Sequence, residues 1–158
     1  MWKKIKPYVL SIAIALGVGL LSAILTGGSM DAYRGINKPP LNPPMVVFPI
    51  VWSVLFILMG IGSALIFTNR SKDKSSAYSA LKIYGLQLIV NFFWSIIFFN
   101  MQAYLFAFIW LLLLLALIIA MIIQFRKICS AAAYLQIPYL LWVIFAGYLN
   151  IMIYILNK

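Results

Sequence analysis

Gln87, Asn91 and Ser95 recur at every fourth position of one apolar stretch, and Trp94 stands three residues after Asn91. On a helix that spacing gathers neutral polar groups on one face. A second apolar stretch carries Trp142, Phe145, Ala146, Leu149 and Asn150 at the i, i+3, i+4, i+7, i+8 spacing of a single helical face. Trp52 and Phe56 lie one turn apart in a third stretch, and Ser22 and Thr26 in a fourth. None of these stretches contains Asp, Glu or Arg, and the chain has no histidine. General acid–base catalysis needs such a group beside the bond being broken. Ion-coupled carriers need ionisable groups at membrane depth. Both classes are therefore disfavoured. The missing histidine also removes the usual proximal haem ligand and any Cys/His metal site, so no metal is expected. Cys129 is the only cysteine and cannot form an internal disulfide.

Two arrangements account for the remaining residues. Asn, Gln and Ser can hydrogen-bond from helix to helix, contributing about 1 kcal/mol or less each, with tryptophans such as Trp2 and Trp110 in an interfacial belt. Alternatively, aromatic walls and a few orienting polar groups form a small-molecule cavity. Trp94 and Trp142 lie nearer mid-span than a belt requires, which suits the cavity.

The elements that must position these residues follow from composition. The 158-residue chain is 66% hydrophobic and 9% charged, too apolar for a soluble core to cover itself. Five apolar runs, about 8–26, 46–68, 78–100, 104–125 and 131–156, each approach the roughly 20 residues that cross a bilayer. Backbone polar groups in lipid must be satisfied within the segment, so the runs read as helices. "LLLLLALIIAMII" lacks the alternation of a barrel strand. The fold expected is an all-α membrane protein, a bundle of five transmembrane helices in a single membrane domain spanning 1–158. The first run lacks a small-residue cleavage site and reads as a retained helix.

The net charge of +10 is dispersed in short clusters between apolar runs, the pattern of membrane flanks rather than of a nucleic-acid surface. Lys3, Lys4, Lys6, Arg70, Lys72, Lys74, Arg126 and Lys127 fall on one side; Arg34, Lys38 and Lys158 fall on the other. This bias places the N-terminus in the cytoplasm and the C-terminus outside a cell membrane. Lys82, near the inner end of the third helix, can snorkel to the headgroups. The segment 27–45 is the one long connection. Its "GGSMDAYRG" half reads as flexible and its "KPPLNPP" half as stiff, since proline restrains itself and its predecessor. Together they make a lid on the outer face. Pro138 lies inside the fifth run and should kink it beside Trp142.

Three segments in order, "KPPLNPPMVVFPIVWSVLF", "NFFWSIIFF" and "PYLLWVIFAGYLN", give the chain a resemblance to the translocator protein family, also called tryptophan-rich sensory proteins or peripheral benzodiazepine receptors. The resemblance covers essentially the whole chain. It implies a five-helix bundle, usually a homodimer, whose ligand pocket opens toward the first loop. Members of the family bind porphyrins such as protoporphyrin IX and haem, isoquinoline carboxamide drugs and, in animals, cholesterol. Bacterial members promote light- and oxygen-dependent porphyrin breakdown, and the two tryptophans implicated match Trp52 and Trp142. Tyr33, Asn91, Trp94, Ala146 and Leu149 match pocket positions; Ser22 and Phe56 complete the expected ligand-binding set. Leu41, Pro49 and Ile50 depart from the family pattern, so the lid is expected to hinge differently. The animal cholesterol pattern is met only out of register, by Leu149, Tyr154 and Lys158, and cholesterol is not expected.

For a porphyrin, an aromatic slot would stack the ring faces, and Arg34 and Lys38 at the mouth would meet the edge carboxylates. No cofactor is obligatory; the porphyrin is ligand or substrate. The expected activity is a porphyrin-binding sensor or scavenger, with slow photo-oxidative degradation that uses Trp52 and Trp142 rather than acid–base residues. Facilitated transport of porphyrins or lipids, and ligand-tuned regulation of a membrane assembly, are the alternatives.

Overall fold

The structure, a computed structural model, describes residues 2–71 and 73–158, without the side chains of Trp2 and Lys3. The expectations for Lys72 and for the Trp2 and Lys3 side chains thus lie outside the described residues. Helices account for 85% of the described residues, and none of these is in a strand. Five helical segments are long and apolar enough to cross a membrane.

Helix α1 spans Trp2–Thr26. It starts earlier than the apolar run suggested and passes through Pro7, which removes just one intrahelical bond near the helix start. The "flexible" half of the connection is instead folded: a 3-10 turn over Gly27–Ser29 leads into α2, Met30–Gly35. Apolar contact orders it, because Tyr33 is buried against Phe98 and Phe99. The proline half forms two tight turns, with Asn42 N donating to Pro39 O at 3.0 Å and Val47 N to Pro44 O at 2.9 Å.

Helix α3, Val47–Thr68, packs along α1. Gly60 permits the approach: a Cβ there would stand 2.5 Å from Ile12 Cα. Helix α4 runs Lys74–Ser95 and begins four residues before the apolar run. Asp73 caps it, its Oδ1 accepting from Ser76 N at 3.0 Å. The end of α4 widens into a π-helical turn, Ile96–Asn100, closed by Met101 N to Ile96 O at 3.0 Å. Gln102, with φ 51°, completes the short turn into α5, Tyr104–Ile128, which lies against α4 as its antiparallel neighbour.

The last apolar run is broken rather than kinked. Helix α6 covers Ser130–Tyr134 and α7 Ile137–Leu156. Pro138 stands in the first turn of α7, where its missing N–H would be unpaired in any case. Its ring would collide with the carbonyl four residues back, and α6 ends at that residue, Tyr134.

Candidate ligand cavity

Between α1, α3, α4, α7 and the lid lies a cavity of about 870 Å³. Its lining comes from the lid half of each helix: residues 13–23 of α1, 48–56 of α3, 91–95 of α4 with the π turn, and 142–153 of α7. The structure brings all nine of the expected ligand-binding side chains to this one space: Ser22, Tyr33, Trp52, Phe56, Asn91, Trp94, Trp142, Ala146 and Leu149.

The polar groups divide between holding helices together and facing the cavity. Asn91 Nδ2 donates to the Tyr139 hydroxyl at 2.9 Å, and that hydroxyl donates to Gln87 Oε1 at 2.7 Å. Gln87 Nε2 continues the chain to Met59 Sδ at 3.6 Å. Tyr139, Gln87 and Met59 are fully buried, and this cluster underlies the cavity as its floor without lining it. Asn91 reaches both the cluster and the cavity. Ser22 Oγ donates to Ser95 Oγ at 2.7 Å, joining α1 to α4. Asn150 accepts from Trp94 Nε1 at 3.2 Å and donates to Tyr104 O at 2.7 Å, tying α4, α5 and α7 together. Helix-to-helix bonding and an aromatic cavity are therefore not alternatives here; one face serves both.

The tryptophans differ in how they are held. Trp110 donates to Val90 O at 2.8 Å, so it locks α5 to α4 instead of serving only as a belt residue. Trp94 is anchored by Asn150 and stacks on Phe98, centroids 5.3 Å apart. Trp52 lies 5.6 Å from Phe56 and edge-on to Tyr139 at 6.1 Å. Trp142 meets Phe48 at 6.0 Å, and its buried Nε1 has no hydrogen-bond partner among the described residues. A buried indole N–H normally finds an acceptor.

Several expectations need correction. Phe145 shares the helical face of Trp142 but lines a separate shallow groove on the outside of α3 and α7, with Ile50 and Val54. Gln87 and Thr26 are buried between helices and do not line the cavity. Arg34 and Lys38 do not line it either: Arg34 pairs with Asp31 at 3.1 Å, and Lys38 Nζ donates to Arg34 O at 3.1 Å while lying 5.0 Å from the Tyr33 ring centroid. Leu41 is exposed, away from the lining, and Pro49 lines the cavity where Ile50 faces out. Sequence reasoning missed Phe98 and Phe99, brought to the wall by the π turn, and Tyr139, the centre of the floor. The run of aromatics in "NFFWSIIFF" was the available signal for the first pair.

A helical membrane protein with a ligand-sized, aromatic-walled cavity under a folded lid is the class these observations define. Residues 11–156 match the TspO/MBR family. The chain is similar to the tryptophan-rich protein TspO of Chlorobaculum tepidum, 35% identical over 158 residues covering 99% of each chain. It is similar also to that of Archaeoglobus fulgidus, 36% identical over 94% of this chain and 95% of the relative. The translocator protein of Ovis aries is 32% identical over 91% of this chain and 88% of the relative. The chain belongs to the TspO/MBR family and is a multi-pass membrane protein.

Proposed function

We propose that the cavity binds a flat tetrapyrrole such as protoporphyrin IX and that the protein acts as a porphyrin sensor or scavenger. One observation carries the reading: four tryptophan and phenylalanine faces, Trp52, Phe56, Trp94 and Trp142, converge on a single cavity of about 870 Å³, within the usual range of small-molecule sites of about 300–1,000 Å³. The unpartnered Trp142 Nε1 offers a donor to an acceptor on the ligand. Isoquinoline carboxamides, with an aromatic plate and an amide oxygen, fit the same description. Porphyrin carboxylates projecting past Tyr33 would meet Lys38 first. Arg34 is available once it leaves Asp31, an exposed pair that costs about 1 kcal/mol or less to open.

In light and air, the absorbed photon and dioxygen would drive porphyrin oxidation. Dioxygen would be the electron acceptor, and the chain would hold the ring plane against Trp52 and Trp142, whose indoles would pass an electron to photo-activated dioxygen and recover it from the ring, which is thereby oxidised. Transport across the bilayer is the second reading, favoured by the name of the sheep relative. The buried floor of Tyr139, Gln87 and Met59 opposes it, because a through-path needs a second opening. From the positive bias the lid is proposed to lie outside the cell and the N-terminus inside, and assembly is proposed to be homodimeric.

The test uses purified protein in nanodiscs. Protoporphyrin IX should quench tryptophan fluorescence saturably. In Trp142→Phe the affinity should stay within about threefold, since Phe keeps the stacking face, while light-driven loss of porphyrin absorbance disappears. Unchanged bleaching in that variant sinks the role given to Trp142; absence of saturable quenching in the wild type sinks the binding reading.

A further inference from the structure

We infer that the cavity takes its ligand sideways from the bilayer, through a cleft between α1 and α3, and not through the lid. The lid is fastened at two places. At its start, Ser29 Oγ donates to Asn100 Oδ1 at 2.8 Å, and Asn100 Nδ2 donates to Leu25 O at 3.0 Å. At its middle, Asn37 N donates to Asn157 Oδ1 and Asn157 Nδ2 returns to Asn37 O, both at 2.9 Å. The amide of Asn157 thus clips the lid to the end of α7 as a neighbouring strand would. Between the fastenings, Tyr33 is buried against the π turn and donates to Asn42 Oδ1 at 3.0 Å.

The side wall is different. The cavity-lining residues that are also exposed are Ala13, Gly17, Leu20 and Ala23 of α1 and Pro49 and Ser53 of α3. No lining residue of the lid, α4 or α7 is exposed. All six lie on the two helices, which touch closely at Ile12 and Gly60. Three of the four α1 positions are Ala or Gly, so the edge is low from Ala13 to Ala23, about 15 Å of helix axis. The cleft is also dry in character: Ser53, its one side-chain hydroxyl, donates to Pro49 O at 2.8 Å. An aperture lined this way admits apolar plates from hydrocarbon and offers nothing to water. Gly17 is the place to block it, since a Cβ there meets nothing within 4 Å and a side chain can be added without displacing the fold. Gly19 differs, because its Cβ would strike the Phe56 ring.

The inference rests on the binding reading above, so its test uses two probes dissolved in the vesicle membrane before mixing: protoporphyrin IX and pyrene. Arrival is followed by stopped-flow tryptophan quenching in reconstituted protein with Cys129→Ser. Gly17→Trp should slow association of both probes about tenfold or more, within the range over which on-rates vary in one site. Asn37→Cys with Asn157→Cys, joined by a short bis-maleimide on the lid side, should leave association within about twofold of the unjoined protein. Slowing by the joined lid with no effect of Gly17→Trp overturns the lateral route. Failure of protoporphyrin alone to quench refutes the porphyrin reading while pyrene still reports the route. Failure of both probes to reach the tryptophans in the wild type overturns the route itself. Gly17→Leu, a smaller obstruction, should give an intermediate rate; a rate equal to wild type in both Gly17 variants, with both folded, also overturns it.

Discussion

Replacing Tyr139 by phenylalanine keeps the ring against Trp52 and removes one oxygen from the cavity floor. The structure sets the size of the effect. Tyr139 is fully buried, donates to Gln87 and accepts from Asn91, so the change deletes two helix-to-helix bonds. Such bonds in membrane proteins average about 0.6 kcal/mol and reach about 1.7, giving an expected loss of about 1–3 kcal/mol. Much of it comes from leaving Asn91 Nδ2 and Gln87 Oε1 unsatisfied, and removal of both partners should cost less than the sum. The assay is equilibrium unfolding in bicelles by steric trapping, on Tyr139→Phe, Gln87→Leu and the double variant. The coupling energy should be about 0.5–1.5 kcal/mol. Additive losses within about 0.3 kcal/mol would show that the two side chains are energetically independent and that the floor is not the cluster described here.

Gly60→Ala should destabilise by about 1–3 kcal/mol, because the new methyl overlaps the Ile12 backbone. Gly85→Ala should stabilise by about 0.4–1 kcal/mol, since it sits within α4 with nothing within 4 Å of the added carbon; the same unfolding assay ranks both. The hydrogen bonds from Ser76 hold the Asp73 carboxyl below the usual carboxylate range. With a folded value below the unfolded one, its contribution is present above about pH 4 and is lost as pH falls through the folded value. Amide-exchange protection of Ser76 and Ala77 should fall with acid in the wild type and be low at every pH in Asp73→Ala.

Apolar run length and the four-residue spacing of Gln87, Asn91 and Ser95 were enough to foresee five spanning helices and a shared polar face, because both depend on helix geometry alone. Which neighbour Phe145 meets was not legible, because periodicity defines a face without saying what it packs on, and α7 borders both the cavity and the outer groove. Phe98 and Phe99 escaped because the π turn adds a residue and shifts the phase after Ser95. Tyr139 escaped for another reason: a tyrosine beside Pro138 carries no local mark of the two amides it joins from 48 and 52 residues away. The order of the Gly27–Ser29 turn and α2 came from tertiary burial of Tyr33, which overrode a glycine-rich local sequence. Arg34 and Lys38 were read as mouth residues from position in the chain; in the structure they bond locally, to Asp31 and the Arg34 carbonyl, with Lys38 beside the Tyr33 ring.

The floor has a consequence for depth. Because the cavity stops at Asn91 and Tyr139 while its side aperture begins near Ala13, an occupant shares its level with only one leaflet, the one beneath the lid. Molecules dissolved in the opposite monolayer face solid helix packing and must first flip to be seen. On the lateral route proposed above, such a protein would read the composition of a single face of the membrane, and an enzyme releasing a flat apolar product into the other face would be invisible to it until lipid flip-flop had carried that product across.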